Sequence, residues 1–151
     1  MKACRIEQDL DVFAARRAAR ELASEVGFAV REGEEIAIVA TELSTNILKY
    51  GVRGWLELAA VYDSLLGTGL KVIAHDQGPP FFDFATALFD GHDDKGPIDP
   101  AAMATRRGIG AGLGAVQRFC DAVTCAAEES GKAVTAIRYL RRPKGAGPRA
   151  F

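Results

Sequence analysis

The chain has 151 residues, a length that suits one domain with a proper core. With 19 basic and 20 acidic residues its net charge is −1, so charge gives no reason to expect a nucleic-acid partner. No apolar run approaches the about 18 residues that a membrane span requires, and the first residues lack the apolar core of a signal peptide.

Cys4, Cys120 and Cys125 are odd in number and have no metal-ligand spacing, which fits reduced thiols in a cytoplasmic protein. His75 and His92 are too few and too scattered for a zinc site.

In chain order, residues 3–7 read as a short strand. Residues 10–26 read as a helix that Asp9 or Asp11 can cap, with Ala15, Ala18, Ala19, Leu22 and Val26 as a partial apolar stripe and Gly27 as its stop. Residues 32–50 form the most regular helical pattern. Ile36, Val39, Ala40, Leu43, Ile47 and Tyr50 recur at three- and four-residue steps, which buries one face. Residues 55–62 and 70–75 are strands, joined by a loop over 63–69 that is longer than a tight hairpin turn. Asp76-Gln77-Gly78-Pro79-Pro80 breaks the second strand, and residues 84–89 read as a short helix. Residues 90–107 hold Gly91, Gly96, Pro97, Pro100 and the charge cluster Asp93-Asp94-Lys95; so long a loop in a small domain is a lid or a binding loop. A helix over 115–120 follows, then a second hairpin from strands at 122–127 and 133–140. The basic, Pro/Gly-rich residues 141–151 are expected to be a disordered tail, and 1–140 the folded domain.

The expected class is therefore α/β in the two-layer α+β sense: a largely antiparallel mixed sheet with helices on one face. Without a βαβ unit around its glycine run, the chain does not fit a dinucleotide-binding doubly wound sheet.

Three stretches carry polar or glycine residues that the core does not need. Glu42, Asn46 and Lys49 are spaced i, i+4, i+7, and each precedes a member of the buried stripe, so they share a face at the edge of the core. A carboxylate, an amide and an amine in that row suit magnesium and phosphate, although many solvated helix faces look the same. Asp76 stands at a strand end before Gly78, where its carboxylate can accept from the amino group of a flat ring or simply cap a turn. Gly108, Gly110, Gly112 and Gly114 alternate before a helix start, where glycine admits close approach and free N–H groups attract anions; a flexible loop is the plain alternative.

Taken together and in this order, the stretches resemble the three nucleotide-binding boxes of the histidine-kinase-type (Bergerat, GHKL) ATPases. Glu42 to Gly51 resembles the first box, Asp76-Gln77-Gly78-Pro79 the second, and Arg107 to Gly114 the third. The short length and the wording of the boxes are most similar to the bacterial anti-sigma-factor and switch-protein serine/threonine kinases. The resemblance implies ATP and Mg2+ as cofactors, with Asn46 binding the metal and Glu42 as general base. It implies that Asp76 reads the adenine amino group beside Gly78, with Thr135 behind it. Gly108, Gly110, Gly112, Leu113 and Gly114 would wrap the phosphates, and Lys49 would touch one. It further implies a small STAS-type anti-anti-sigma protein as substrate, with a sigma factor or a phosphatase as further partners; a homodimer is left open, with Trp55 or Phe81-Phe82 as its surface or as core.

Pro80 stands where the family often has a second glycine, and proline fixes φ and removes an N–H. Two other functions follow from the same boxes. One is a partner-sequestering module that nucleotide merely biases. The other is an ATPase that releases phosphate to water.

Overall fold

Alternation and capping build the first two elements. The computed structural model describes residues 1–50, 53–78, 92–93, 96–97 and 112–140. Strand β1 (Lys2–Ile6) turns Ile6 into the core, and helix α1 (Asp9–Val26) follows at once. Asp11 caps α1 by accepting the backbone N–H groups of Glu7 and Gln8 at 2.8 and 3.0 Å. At its other end the N–H of Gly27 bonds back to Ala23 and Ser24, closing the helix at the expected glycine.

Helix α2 (Val30–Tyr50) buries Ile36, Val39, Ala40, Leu43 and Ile47, as its periodicity predicts. It also buries Thr41, Ser44 and Thr45. Their hydroxyls donate to the carbonyls four residues earlier at 2.7–2.9 Å, so each polar group enters the core already paired.

Strands β2 (Gly54–Asp63) and β3 (Gly67–Asp76) form the first hairpin. Its turn is only residues 64–66, shorter than the expected loop, because the Asp63 carboxylate accepts from the N–H groups of Leu65 and Leu66 at 2.8 and 2.9 Å. Two short strands, β4 (His92–Asp93) and β5 (Gly96–Pro97), pair with each other inside the expected lid. Helix α3 (Leu113–Phe119) leads into the second hairpin, β6 (Ala122–Glu128) and β7 (Gly131–Tyr139). The expected helix at 84–89, Pro80, Phe81, Phe82, Gly108, Gly110 and the tail at 141–151 lie outside the described residues.

The five-stranded sheet has the order β1-β2-β3-β7-β6, with every neighbouring pair antiparallel. Side chains alternate across it. Leu56, Leu58, Leu70, Val72, Ala74, Val134 and Ala136 face the helices and join Leu22, Leu43, Ile47 and Val116 in one core. On the opposite face Trp55 is 41% exposed and stacks on the His75 ring at 4.6 Å, while Glu57 and Glu128 flank that imidazole at 3.3 and 2.9 Å. Trp55 therefore lies on the open sheet face and not in the core.

Arg138 ties the two layers together. Its guanidinium, 4% exposed on the helix face of β7, pairs with Glu35 and, at 3.6 Å, with Glu32 of α2, and donates to the Phe119 carbonyl at 3.4 Å.

Candidate active site

The end of β3 is packed so tightly that glycine is required on both sides of it. A side-chain carbon at Gly54 would fall 2.3 Å from the His75 carbonyl oxygen and 2.6 Å from Ile47 Cγ2. One at Gly131, whose φ is +140°, would fall 1.8 Å from the Asp76 carbonyl oxygen. The helix α2 and the β6–β7 turn thus close directly on Asp76, which is 7% exposed.

Asp76 uses its carboxylate twice. Oδ1 accepts the Gly78 N–H at 2.8 Å, and it accepts from Lys132 Nζ, also at 2.8 Å. The turn-capping role and the ligand-reading role read from the sequence are compatible, since both bonds fall on one carboxylate oxygen. Lys132 is directly opposite Asp76 in the β3–β7 register, and its side chain is 5% exposed.

Between α2 and the sheet lies a narrow cleft lined by Leu43, Asn46, Ile47, Ala74, Asp76, Lys132 and Val134. Its walls are apolar, and its polar groups are one carboxylate, one ammonium and one amide. The fold brings Asn46 and Asp76 together from elements 30 residues apart in sequence.

Glu42, one turn before Asn46 on the same helix, is 2% exposed, deeper than the core edge expected for it. Lys49 is half-buried at the end of α2. Gly112 adopts φ +61° and ψ −142° immediately before α3, a backbone that L side chains rarely adopt. Leu113 is 3% exposed and packs in the core, where it anchors the start of α3, and Gly114 is buried beside it. Thr135 is not brought to the cleft. It pairs with Ile73 and Thr124, so strand alternation puts it on the sheet face opposite Asp76. The residue of β7 that meets Asp76 is Lys132.

Sequence reasoning missed Lys132, Gly54 and Gly131. A single lysine in the apolar strand Gly131–Tyr139 was the available signal, but its partner follows only from the register. Nearby, burial pushes the Cys125 thiol pKa up; Lys132 opposes that shift and Asp76 adds to it.

Among the described residues no group of three or more His, Cys, Asp or Glu could cage a metal. No helix among the described residues is long and apolar enough to cross a membrane.

Comparison with known proteins gives the same assignment. The histidine kinase-like ATPase domain matches residues 7–138. The serine/threonine-protein kinase RsbT of Bacillus subtilis (strain 168) is 33% identical over 138 residues, covering 91% of this chain and 95% of that protein. A domain match over nearly the whole chain, together with a relative aligned over nearly its full length, shows that the chain belongs to the histidine kinase-like ATPase family, in its branch of RsbT-like serine/threonine-protein kinases.

Proposed function

We propose that the chain transfers the γ-phosphate of ATP to a serine or threonine hydroxyl of a small STAS-type partner protein in the cytoplasm, in the manner of an anti-sigma or switch kinase. The observation that carries this reading is the buried Asp76 carboxylate in an apolar cleft that also holds Asn46. Asp76 accepts from the adenine amino group, and Leu43, Ile47, Ala74 and Val134 cover the ring. Magnesium bound with the nucleotide would neutralise charge on the phosphates, and the Asn46 amide oxygen would hold it on the protein side. The glycine run before α3 and Lys49 hold the phosphates.

In the transfer step the acceptor oxygen forms a bond to the γ-phosphorus, the bond to the β–γ bridging oxygen breaks, and ADP leaves. Glu42 takes the hydroxyl proton. Phosphoryl transfer needs mainly positioning and charge neutralisation, with a carboxylate to orient the nucleophile. Loss of such a base costs about 10²–10⁴-fold in rate. The Glu42→Ala variant is therefore expected to bind ATP like the wild type and to lose transfer from γ-labelled ATP to a STAS-type protein. Equal loss of binding and transfer contradicts the role given to Glu42.

The burial of Glu42 favours a second reading, in which the chain sequesters its partner and nucleotide only biases the complex. Partner capture that persists in the Glu42→Ala variant and without ATP, with no transfer by the wild type, supports that reading instead.

A further inference from the structure

Asp76 and Lys132 form a buried ion pair, with side chains 7% and 5% exposed and 2.8 Å between Oδ1 and Nζ. Such a pair gives a fold little net stability, because apolar residues of the same volume often do as well or better. Its position is more informative. Both residues line the cleft between α2 and the sheet, where every other lining residue except Asn46 is apolar. A hydrogen-bond acceptor and a hydrogen-bond donor therefore stand side by side in the wall of this cleft.

Adenine carries the complementary pair on its Watson–Crick edge, an amino donor at N6 beside a ring acceptor at N1. We propose that Lys132 is a specificity-determining residue that donates to adenine N1 while Asp76 accepts from the N6 amino group, so the two residues read the base edge together. This inference rests on the reading that ATP binds at Asp76. Oδ1 of Asp76 accepts from Gly78 and Lys132, and the amino group would fall to the second carboxylate oxygen. An ammonium has three N–H donors, so a lysine can bond to more than one acceptor at once. Guanine presents the reverse order, an oxygen acceptor at C6 and an N–H donor at N1, and sets like against like on both residues.

The test is a set of calorimetric titrations with three magnesium–nucleotide complexes: ATP, 1-deaza-ATP, which lacks the N1 acceptor, and purine riboside triphosphate, which lacks the N6 amino group. A hydrogen bond to a charged group is worth about tenfold or more in affinity. Wild-type protein is expected to bind both analogues at least about tenfold more weakly than ATP. The Lys132→Met variant is expected to bind ATP and 1-deaza-ATP alike, a loss of discrimination that a purely structural role for Lys132 does not produce. If wild-type protein binds 1-deaza-ATP as tightly as ATP but purine riboside triphosphate weakly, the Lys132 assignment falls and the Asp76 reading stands. If all three bind alike, or none binds at millimolar concentration, the Asp76 reading falls as well. The wild-type titrations decide these outcomes even if the Lys132→Met variant fails to fold.

Discussion

Replacing Gly131 by alanine is expected to damage stability and nucleotide binding together, and Gly67 supplies the control. Both glycines have positive φ, +140° and +83°. Alanine in such a conformation costs about 1–2 kcal/mol at either site. The two differ in what the new methyl group meets. At Gly67 nothing lies within 4 Å, whereas at Gly131 the Asp76 carbonyl oxygen is 1.8 Å away and the Gln77 Cα 2.8 Å away. Those atoms are backbone, so the β6–β7 turn or the end of β3 must move, which adds about 1–3 kcal/mol. In a domain of this size each kcal/mol lowers Tm by about 2–4 °C. Gly67→Ala should lower Tm by about 2–8 °C and leave ATP affinity unchanged. Gly131→Ala should cost about 2–5 kcal/mol by urea denaturation and weaken ATP binding, because Asp76 is displaced. The reasoning is refuted if Gly131→Ala costs no more than Gly67→Ala and binds ATP like the wild type.

Arg138→Met leaves Glu35 without its buried guanidinium and is expected to cost about 3 kcal/mol, while the double change Arg138→Met with Glu35→Leu recovers most of it; equal losses in thermal melts would show that the ion pair does not couple the layers. Burial, the largest cause in each case, raises the pKa of the Cys4 and Cys125 thiols above the ordinary value of 9.0. Their thiolate fraction at pH 8 is therefore below that of a free cysteine, and iodoacetamide should label both more slowly than it labels the unfolded chain. Labelling at the unfolded rate contradicts this.

Local chemistry made most of the fold legible. The buried stripe of α2 follows a 3.6-residue period, Gly27 stops α1, and both hairpins have turn residues between apolar runs. The β2–β3 turn proved tighter than read, because the capping bonds of the Asp63 carboxylate are a feature of geometry and not of spacing. At the site, Asn46 and Asp76 were legible because their motifs are local. Thr135 and Lys132 were not distinguished, since which of two residues three apart faces Asp76 depends on the β3–β7 register. The depth of Glu42 was not legible either. Helix spacing gives the face of a residue, but burial depends on what packs over it, and α3 lies against α2.

Titration calorimetry of magnesium–ATP into the wild type and an Asp76→Asn variant tests the central assignment most directly. Saturable binding by the wild type that is weakened at least about tenfold in the variant is the predicted result, from the loss of a charge-assisted hydrogen bond to the base. Equal binding by the two proteins, or no binding by the wild type at millimolar nucleotide, would contradict a nucleotide site at Asp76 and with it the proposed kinase chemistry.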